Sequence, residues 1–370
     1  AGHALDYDDV NMAMPGHPSV AILPGLLALA ERLRASGGEV LTAFVAGYET
    51  ACRLGAALAP GHYDRGFHAT GTLGCFGAAA AAARLLGLDP DRTAAALGIA
   101  GTQAAGLKAQ FGTMCKPFHA GKAAQNGLLS ALLARRGFSS RPDLVECVQG
   151  FALTHGPDFT PEAALAEPPG GFHLRANLFK YHAACYLTHA PIECARRLSG
   201  EHRLAPEAIR HVTLRLDRSC DLVCNIPAPK DGLESKFSLR QTVAMALSGI
   251  DTASLLAYSE KNAQDPALIR LRERIAVDFV EGWPQTLAEI EIELADGRRL
   301  AARHDAGVPA ADPVSGHGAG IAEQGDRLAA KFDALVLPLF GGLRTRELRE
   351  TIAALDGLAD VGALARLAAG

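Results

Sequence analysis

The stretch Gly71 to Leu86 constrains this chain most, because on a helix it presents alanine, glycine and leucine over nearly its whole circumference. A helix that is apolar on all sides is a buried helix. Residues this small also let neighbouring backbones approach closely, so the fold is expected to wrap other helices around this one. In Val40 to Leu58, the residues Leu41, Phe44, Val45, Tyr48 and Cys52 recur at helical spacing and form one apolar stripe. Asp89-Pro90 supplies an N-cap followed by proline at the first helical position, opening a helix expected to run to about Ala109. Lys116-Pro117 opens another, which Gly137 stops after Arg135 and Arg136 complement the end of its dipole.

Past this point the periodicity changes. Ser139 to Gly171, rich in proline and paired glycines, reads as a partly helical connector ending in a boundary. His211 to Asp217 and Glu289 to Leu294 then alternate apolar with polar residues, as half-buried strands do. Asp296-Gly297 is a hairpin turn, so a strand should return through Arg298 to Arg303. Ser238 to Leu247 reads as a capped helix between the strands. After the Gly- and Pro-rich run Gly307 to Gly320, helical patterning resumes at Ile321 to Leu335 and at Arg344 to Ala354. The expected fold is mainly α with an α+β part. A helical domain occupies residues 1–172, an inserted α/β domain 173–315, and helices of 316–370 rejoin the first domain.

Composition excludes several classes of function. A chain of 370 residues with 49% hydrophobic content can bury a sizeable core, and its length suggests two domains. The net charge of -4 with mixed signs offers no basic stripe to nucleic acid. No apolar run reaches the ~20 residues that span a bilayer, so no membrane partner is expected. The first residues lack the basic start and apolar run of a signal or transit peptide. Eight cysteines are too few for a disulfide framework in a chain this long and read as reduced thiols in the cytoplasm. Cys220 and Cys224 have no second pair at zinc-site spacing, so no metal is expected there.

Polar groups stand in unusual settings at four places. Asp6-Tyr7-Asp8-Asp9, followed by Gly16-His17-Pro18, gathers carboxylates and a histidine, either for chemistry or as a solvated loop capping the next helix. Arg65 to Gly71 puts His68 at the entrance of the buried helix, where free N–H groups favour an anion; the alternative is a Thr70 N-cap with His68 as an ordinary loop histidine. Phe111 to Lys122 carries Thr113, Lys116 and His119, and a lysine at a helix start opposes the dipole unless an anion accompanies it. Lys180 precedes a helix expected from about Ala183, which repeats that arrangement.

Four groups of residues resemble the signatures of the MmgE/PrpD family, in the family's order. They are Gly66-Phe67-His68-Ala69-Thr70-Gly71-Thr72-Leu73-Gly74, Lys116-Pro117-Phe118-His119-Ala120-Gly121-Lys122, Asp6-Tyr7-Asp8-Asp9 with Gly16-His17-Pro18, and Lys180 with Thr188-His189. The resemblance implies a helical domain with an α/β lid, a homodimer, and no metal or organic cofactor. It also implies a small di- or tricarboxylic acid substrate. Asp6, His17 and His68 match the family's catalytic loop and histidines, while Lys116 and Lys180 match two lysines facing substrate carboxylates. The family pattern places further helices before the Asp6 segment and this sequence begins at that segment, so the helical domain is expected to lack them, by truncation or by nature. Against the decarboxylase branch, Val10 replaces a threonine, Cys185 a histidine and Gln241 a tyrosine. Cys185 and Gln241 are therefore expected to face substrate.

The implied chemistry is a lyase reaction of the 2-methylcitrate dehydratase type, with epimerisation or cis-aconitate decarboxylation as alternatives. Each builds negative charge beside a carboxylate, which fixed cations relieve while a group of suitable pKa moves the proton. His17 is expected as the principal acid/base, with Asp6 orienting it or its loop and His68 assisting. A nucleophilic Cys115 beside Lys116 and His119 is a competing reading, and an inactive binding or scaffold protein is the non-enzyme one.

Overall fold

The computed structural model describes residues 1–309 and 321–369. The chain forms two compact units. The helical unit comprises residues 9–109 and 117–178 with the described part of 309–370, and the α/β unit comprises 1–8, 110–116 and 179–308. Two short stretches read from sequence as part of the helical domain thus belong to the α/β unit. The boundary expected at residue 315 lies outside the described residues.

In the helical unit, the Ala/Gly helix spans Ala69–Leu85 and is buried at every position from Ala69 to Ala83. It packs against the helices Pro18–Leu33, Gly37–Leu58 and Pro90–Gly101. Small residues make this possible. A Cβ on Gly77 would stand 2.8 Å from the Gly47 carbonyl oxygen, and one on Gly47 would stand 2.8 Å from the Ala81 methyl. The Gly37–Leu58 helix starts at a capping box of Ser36 and Glu39. Its buried face carries Val40, Ala43, Tyr48, Ala51 and Cys52, whereas Leu41 of the expected stripe is 38% exposed. The stripe is rotated towards the small residues because they let the central helix in.

The helix opened by Asp89-Pro90 stops at Gly101, short of Ala109. The chain there is drawn into loop pairing, with the His68 N–H donating to the Gly106 carbonyl at 3.0 Å and the Lys108 N–H to that of Gly66 at 2.8 Å. The segment Ile321–Ala353 is helical on both sides of a break at Gly341, so it forms the two helices expected there. Hydrogen bonds from the Val361 N–H to the Ala35 carbonyl and from the Gly37 N–H to that of Leu358 tie the chain beyond it to the N-terminal helices.

The α/β unit holds a four-stranded sheet of β1 (Ile209–Asp217), β2 (Ile275–Val280), β3 (Leu287–Leu294) and β4 (Arg299–Asp305), in the order β2-β1-β3-β4. β1 runs parallel to β2 and antiparallel to β3, and β3 and β4 form the expected hairpin. Val212, Leu214 and Leu216 of β1 and Ile290, Ile292 and Leu294 of β3 are buried, as their alternation requires. β2 escapes a sequence reading because its burial does not alternate. The helix His189–His202 packs on β3 and β4, and Leu239–Leu247 packs against that helix and β2. The first of these begins at His189 rather than near Ala183; the stretch before it is held by bonds from the Ala183 and Cys185 N–H groups to the Thr252 and Lys236 carbonyls, at 3.1 and 3.0 Å. Among the described residues no helix is long and apolar enough to cross a membrane.

Candidate active site

The α/β unit gathers charge in its interior. Residues Gly2–Leu5 form a 3₁₀ turn that ends on Asp6, whose backbone is left-handed at φ 59°. Aspartate tolerates this conformation better than most residues. It turns the carboxylate inward, where Asp6 is 2% exposed. Three ammonium groups meet it: Lys236 at 3.1 Å, Lys180 at 3.4 Å and Lys116 at 3.8 Å. Asp8 stands 3.8 Å from Lys180. All three lysines are buried.

A hydrogen-bonded line runs through this cluster. The Lys116 ammonium donates to His3 Nε2 at 2.9 Å, and His3 Nδ1–H donates to the Asp8 carboxylate at 2.6 Å. The line requires a neutral His3 ring. Burial, with Lys116 and Lys180 nearby, holds His3 below its usual pKa despite the opposing pull of Asp8. Burial alone would raise the Asp6 carboxyl, but Lys180, Lys116 and Lys236 outweigh it and hold the group below the ordinary carboxylate range. Burial lowers Lys116, and the neighbouring Lys180 adds to that, so its proton is more loosely held than an ordinary lysine's even with Asp6 beside it. Lys180 goes the other way, because Asp8, Asp6 and Cys185 overcome the effect of burial. Phe111 and Phe237 wall Lys116, with ring centroids 5.6 and 5.3 Å from its ammonium.

The histidines expected to move protons lie in the helical unit. His17 caps the start of Pro18–Leu33; its N–H donates to Thr70 Oγ1 at 3.1 Å and its Nδ1–H to the Asp9 carbonyl at 2.7 Å. That second bond fixes the tautomer and places the lone pair of the neutral ring on Nε2. The orienting contact comes from Asp9, and Asp6 sits instead among the lysines of the α/β unit. The Asp9 carboxylate is held by the Ser19 N–H at 3.1 Å and the Ser19 hydroxyl at 2.6 Å. His68 is the N-cap of Ala69–Leu85, the position Thr70 would take in the blander reading. Its Nδ1 lies 3.0 Å from His119 Nδ1, so one ring donates to the other. Gly106 leaves the room for this pair, since a Cβ there would stand 3.3 Å from the His119 ring.

The remaining expected residues divide between site and scaffold. Cys185 lies with the lysines. Thr113 is exposed and bonds locally, its hydroxyl donating to the Gln110 carbonyl at 2.8 Å and accepting the Cys115 N–H at 3.2 Å. Gln241 is engaged inside the fold: its amide donates to the Asn262 carbonyl at 3.0 Å and accepts from Arg272 at 2.8 Å. Val10 is buried, and its backbone pairs with Leu178 through two 2.8 Å bonds.

The MmgE/PrpD N-terminal domain model matches residues 1–164, and the MmgE/PrpD C-terminal domain model matches residues 182–356. The chain belongs to the MmgE/PrpD family. A cis-aconitate decarboxylase of Aspergillus terreus is 28% identical over 394 residues, covering 98% of this chain and 78% of its own. The Homo sapiens cis-aconitate decarboxylase is 29% identical over 320 residues, covering 82% of this chain and 65% of its own. A cis-aconitate decarboxylase-like protein, oryM of Aspergillus oryzae, is 35% identical over 58% of this chain. These relatives make a lyase-type enzyme the family-level reading.

His3 and Lys236 are cluster members that the sequence reading did not single out, and Asp8 entered it only as part of the Asp6 segment. Lys236 had a signal: it stands two residues before the Ser238 N-cap, the lysine-before-helix arrangement already noted at Lys116 and Lys180.

Proposed function

We propose that this MmgE/PrpD protein is a cofactor-independent lyase for a small di- or tricarboxylic acid, moving a proton at a carbon beside a carboxylate. The observation that carries this reading is the buried gathering of Lys116, Lys180 and Lys236 around Asp6, with Asp8 as second carboxylate. Three ammonium groups gathered in a low-dielectric setting suit an organic anion, because fixed cations stabilise developing charge most strongly there. His17, with its tautomer set by Asp9, fits the acid/base role, with His68 assisting.

Dehydration of a 2-methylcitrate-type hydroxy acid is the reaction we favour, because Cys185, Val10 and Gln241 depart from the decarboxylase pattern and Gln241 is spent on Arg272 and Asn262. Decarboxylation is the second reading, favoured by relatives named cis-aconitate decarboxylase. A homodimer is supported by Leu339 and Leu343, which are 76% and 72% exposed on the C-terminal helical segment. A reducing cytoplasm is supported by eight free thiols.

Incubation with 2-methylcitrate, citrate and cis-aconitate, followed by NMR and carbon dioxide release, tests the reading. New alkene without carbon dioxide marks the dehydratase, and carbon dioxide marks the decarboxylase. Binding of all three acids without turnover leaves an inactive binding protein, and failure to bind any of them overturns the carboxylate reading.

A further inference from the structure

The Lys116 ammonium hydrogen-bonds a ring nitrogen rather than an oxygen. His3 Nε2 lies 2.9 Å from it, while Asp6 at 3.8 Å is near enough for an ion pair and too far for a hydrogen bond. His3 is tied in turn to Asp8, ring Nδ1 to carboxylate, at 2.6 Å. The His3 and Asp8 side chains are 1% and 4% exposed and Lys116 is buried with them, so bulk solvent screens this line little.

A short turn delivers the ring to the lysine. Gly2–Leu5 is closed by the Ala4 N–H on the Ala1 carbonyl at 2.9 Å and by the Asp6 N–H on the His3 carbonyl at 3.3 Å. Lys236 holds the turn from the other side, donating to the Ala4 carbonyl at 3.1 Å. His3 and Asp6 stand three positions apart on this segment, and Lys116 contacts both.

The direction of the bonds follows from the chemistry of the ring. An imidazole that donates from Nδ1 keeps its lone pair on Nε2, so Asp8 makes His3 an acceptor towards Lys116. The opposite tautomer would aim an N–H at an ammonium. Burial, with Lys116 and Lys180, holds the ring below its usual pKa against the pull of Asp8. An ammonium carries three N–H donors and turns about a single bond unless one of them is pinned. Pinning one on His3 sets the directions of the other two.

We propose that His3 is the positioning residue for Lys116, fixing the ammonium's rotation so that its remaining N–H donors meet a substrate carboxylate. Asp8 acts one step further back, by holding the ring in the tautomer that accepts. The proposal rests on the carboxylate reading of the lysine cluster and adds to it the residue that orients one lysine.

Two measurements test it. Ring-nitrogen NMR of protein labelled with nitrogen-15 histidine, the His3 signal being assigned by its loss in His3→Gln, should show a neutral ring protonated at Nδ1 at pH 7. A ring protonated at Nε2, or an imidazolium beside a neutral lysine, overturns the proposal. Calorimetric titration with tricarballylate, an unreactive tricarboxylate, then separates orientation from scaffolding. The Gln amide reaches as far as Nε2 and presents an oxygen to Lys116, whereas the Asn amide ends at the level of Nδ1 and keeps only the bond to Asp8. Lys116→Met and His3→Asn should each weaken binding roughly 10-fold or more, and His3→Gln should stay within about 3-fold of wild type. An affinity in His3→Asn equal to or better than that in His3→Gln overturns the positioning role and leaves the carboxylate site standing. Unchanged affinity in Lys116→Met overturns it as well, since the positioned lysine then does not meet the carboxylate. Failure of wild type to bind tricarballylate, with the Nδ1 tautomer present, removes the carboxylate reading and the proposal with it. Should His3→Asn fail to fold, His3→Ala replaces it in the comparison, and the wild-type ring measurement stands independently of both.

Discussion

Replacing Asp6 by Asn removes the carboxylate that three buried ammonium groups share, at 3.1, 3.4 and 3.8 Å. At an effective dielectric constant of about 20, each contact is worth roughly 4–5 kcal/mol before desolvation is counted. The net loss is smaller, because the carboxylate's own desolvation is relieved and because a stranded lysine can shed its proton. Shedding it at pH 7 from an ordinary lysine pKa of ~10.4 costs about 4.6 kcal/mol, which sets a ceiling. The expected loss is therefore about 3–5 kcal/mol, in the range for breaking a buried ion pair. Lys116 is the lysine expected to give way, since burial already lowers it. In the variant it is then neutral when folded and charged when unfolded. The unfolded chain binds the extra proton, so stability rises with pH by up to about 1.4 kcal/mol per unit, and the deficit narrows between pH 7 and 9. In the acid the wild-type slope has the same sign, for a different reason. The Asp6 carboxyl is depressed in the fold, so its contribution is present above the unfolded carboxyl pKa of ~3.9 and disappears as pH falls through the lower folded value. The assay is urea unfolding of both proteins across this range, with hydrogen exchange reporting on the α/β unit, because two units need not unfold together. A deficit below about 1 kcal/mol at pH 7, or one that stays flat from pH 7 to 9, would refute the reasoning that these lysines are charged and paired through Asp6.

Other expectations follow from the same geometry. His17→Ala should cost ~10²–10⁴-fold in kcat with circular dichroism unchanged, and intact turnover would remove the ring from the mechanism. Gln241→Leu should lower stability by about 1–3 kcal/mol by stranding the Arg272 and Asn262 partners while leaving KM alone; a raised KM would return the residue to the substrate. Gly77→Ala drives a methyl towards the Gly47 carbonyl and should destabilise by roughly 1–3 kcal/mol, measured as a lowered thermal midpoint.

Much of the fold was legible in the chain because its signals are local. The alanine helix, the Ser238 cap and the Asp296-Gly297 hairpin each depend on residues within a few positions of one another. The Leu41 stripe misled because helical spacing fits more than one face, and contact with Gly77 and Ala81 selected the small-residue face. Lys116 does stand in the first turn of Cys115–Arg135, where a cation opposes the dipole, whereas the helix expected just after Lys180 begins only at His189.

Sequence alone places Lys116 at a helix start, crowds carboxylates into the segment at Asp6 and buries the Ala/Gly helix on every side. Only tertiary structure decided which charges meet. Lys180 reaches Asp6 across 174 positions, and nothing in the spacing of residues announces Lys236 at the same carboxylate or His3 between Lys116 and Asp8. The physical reason is that a side chain's pKa depends on the charges and donors packing places within a few ångströms of it, whereas helices and turns answer to neighbours along the backbone.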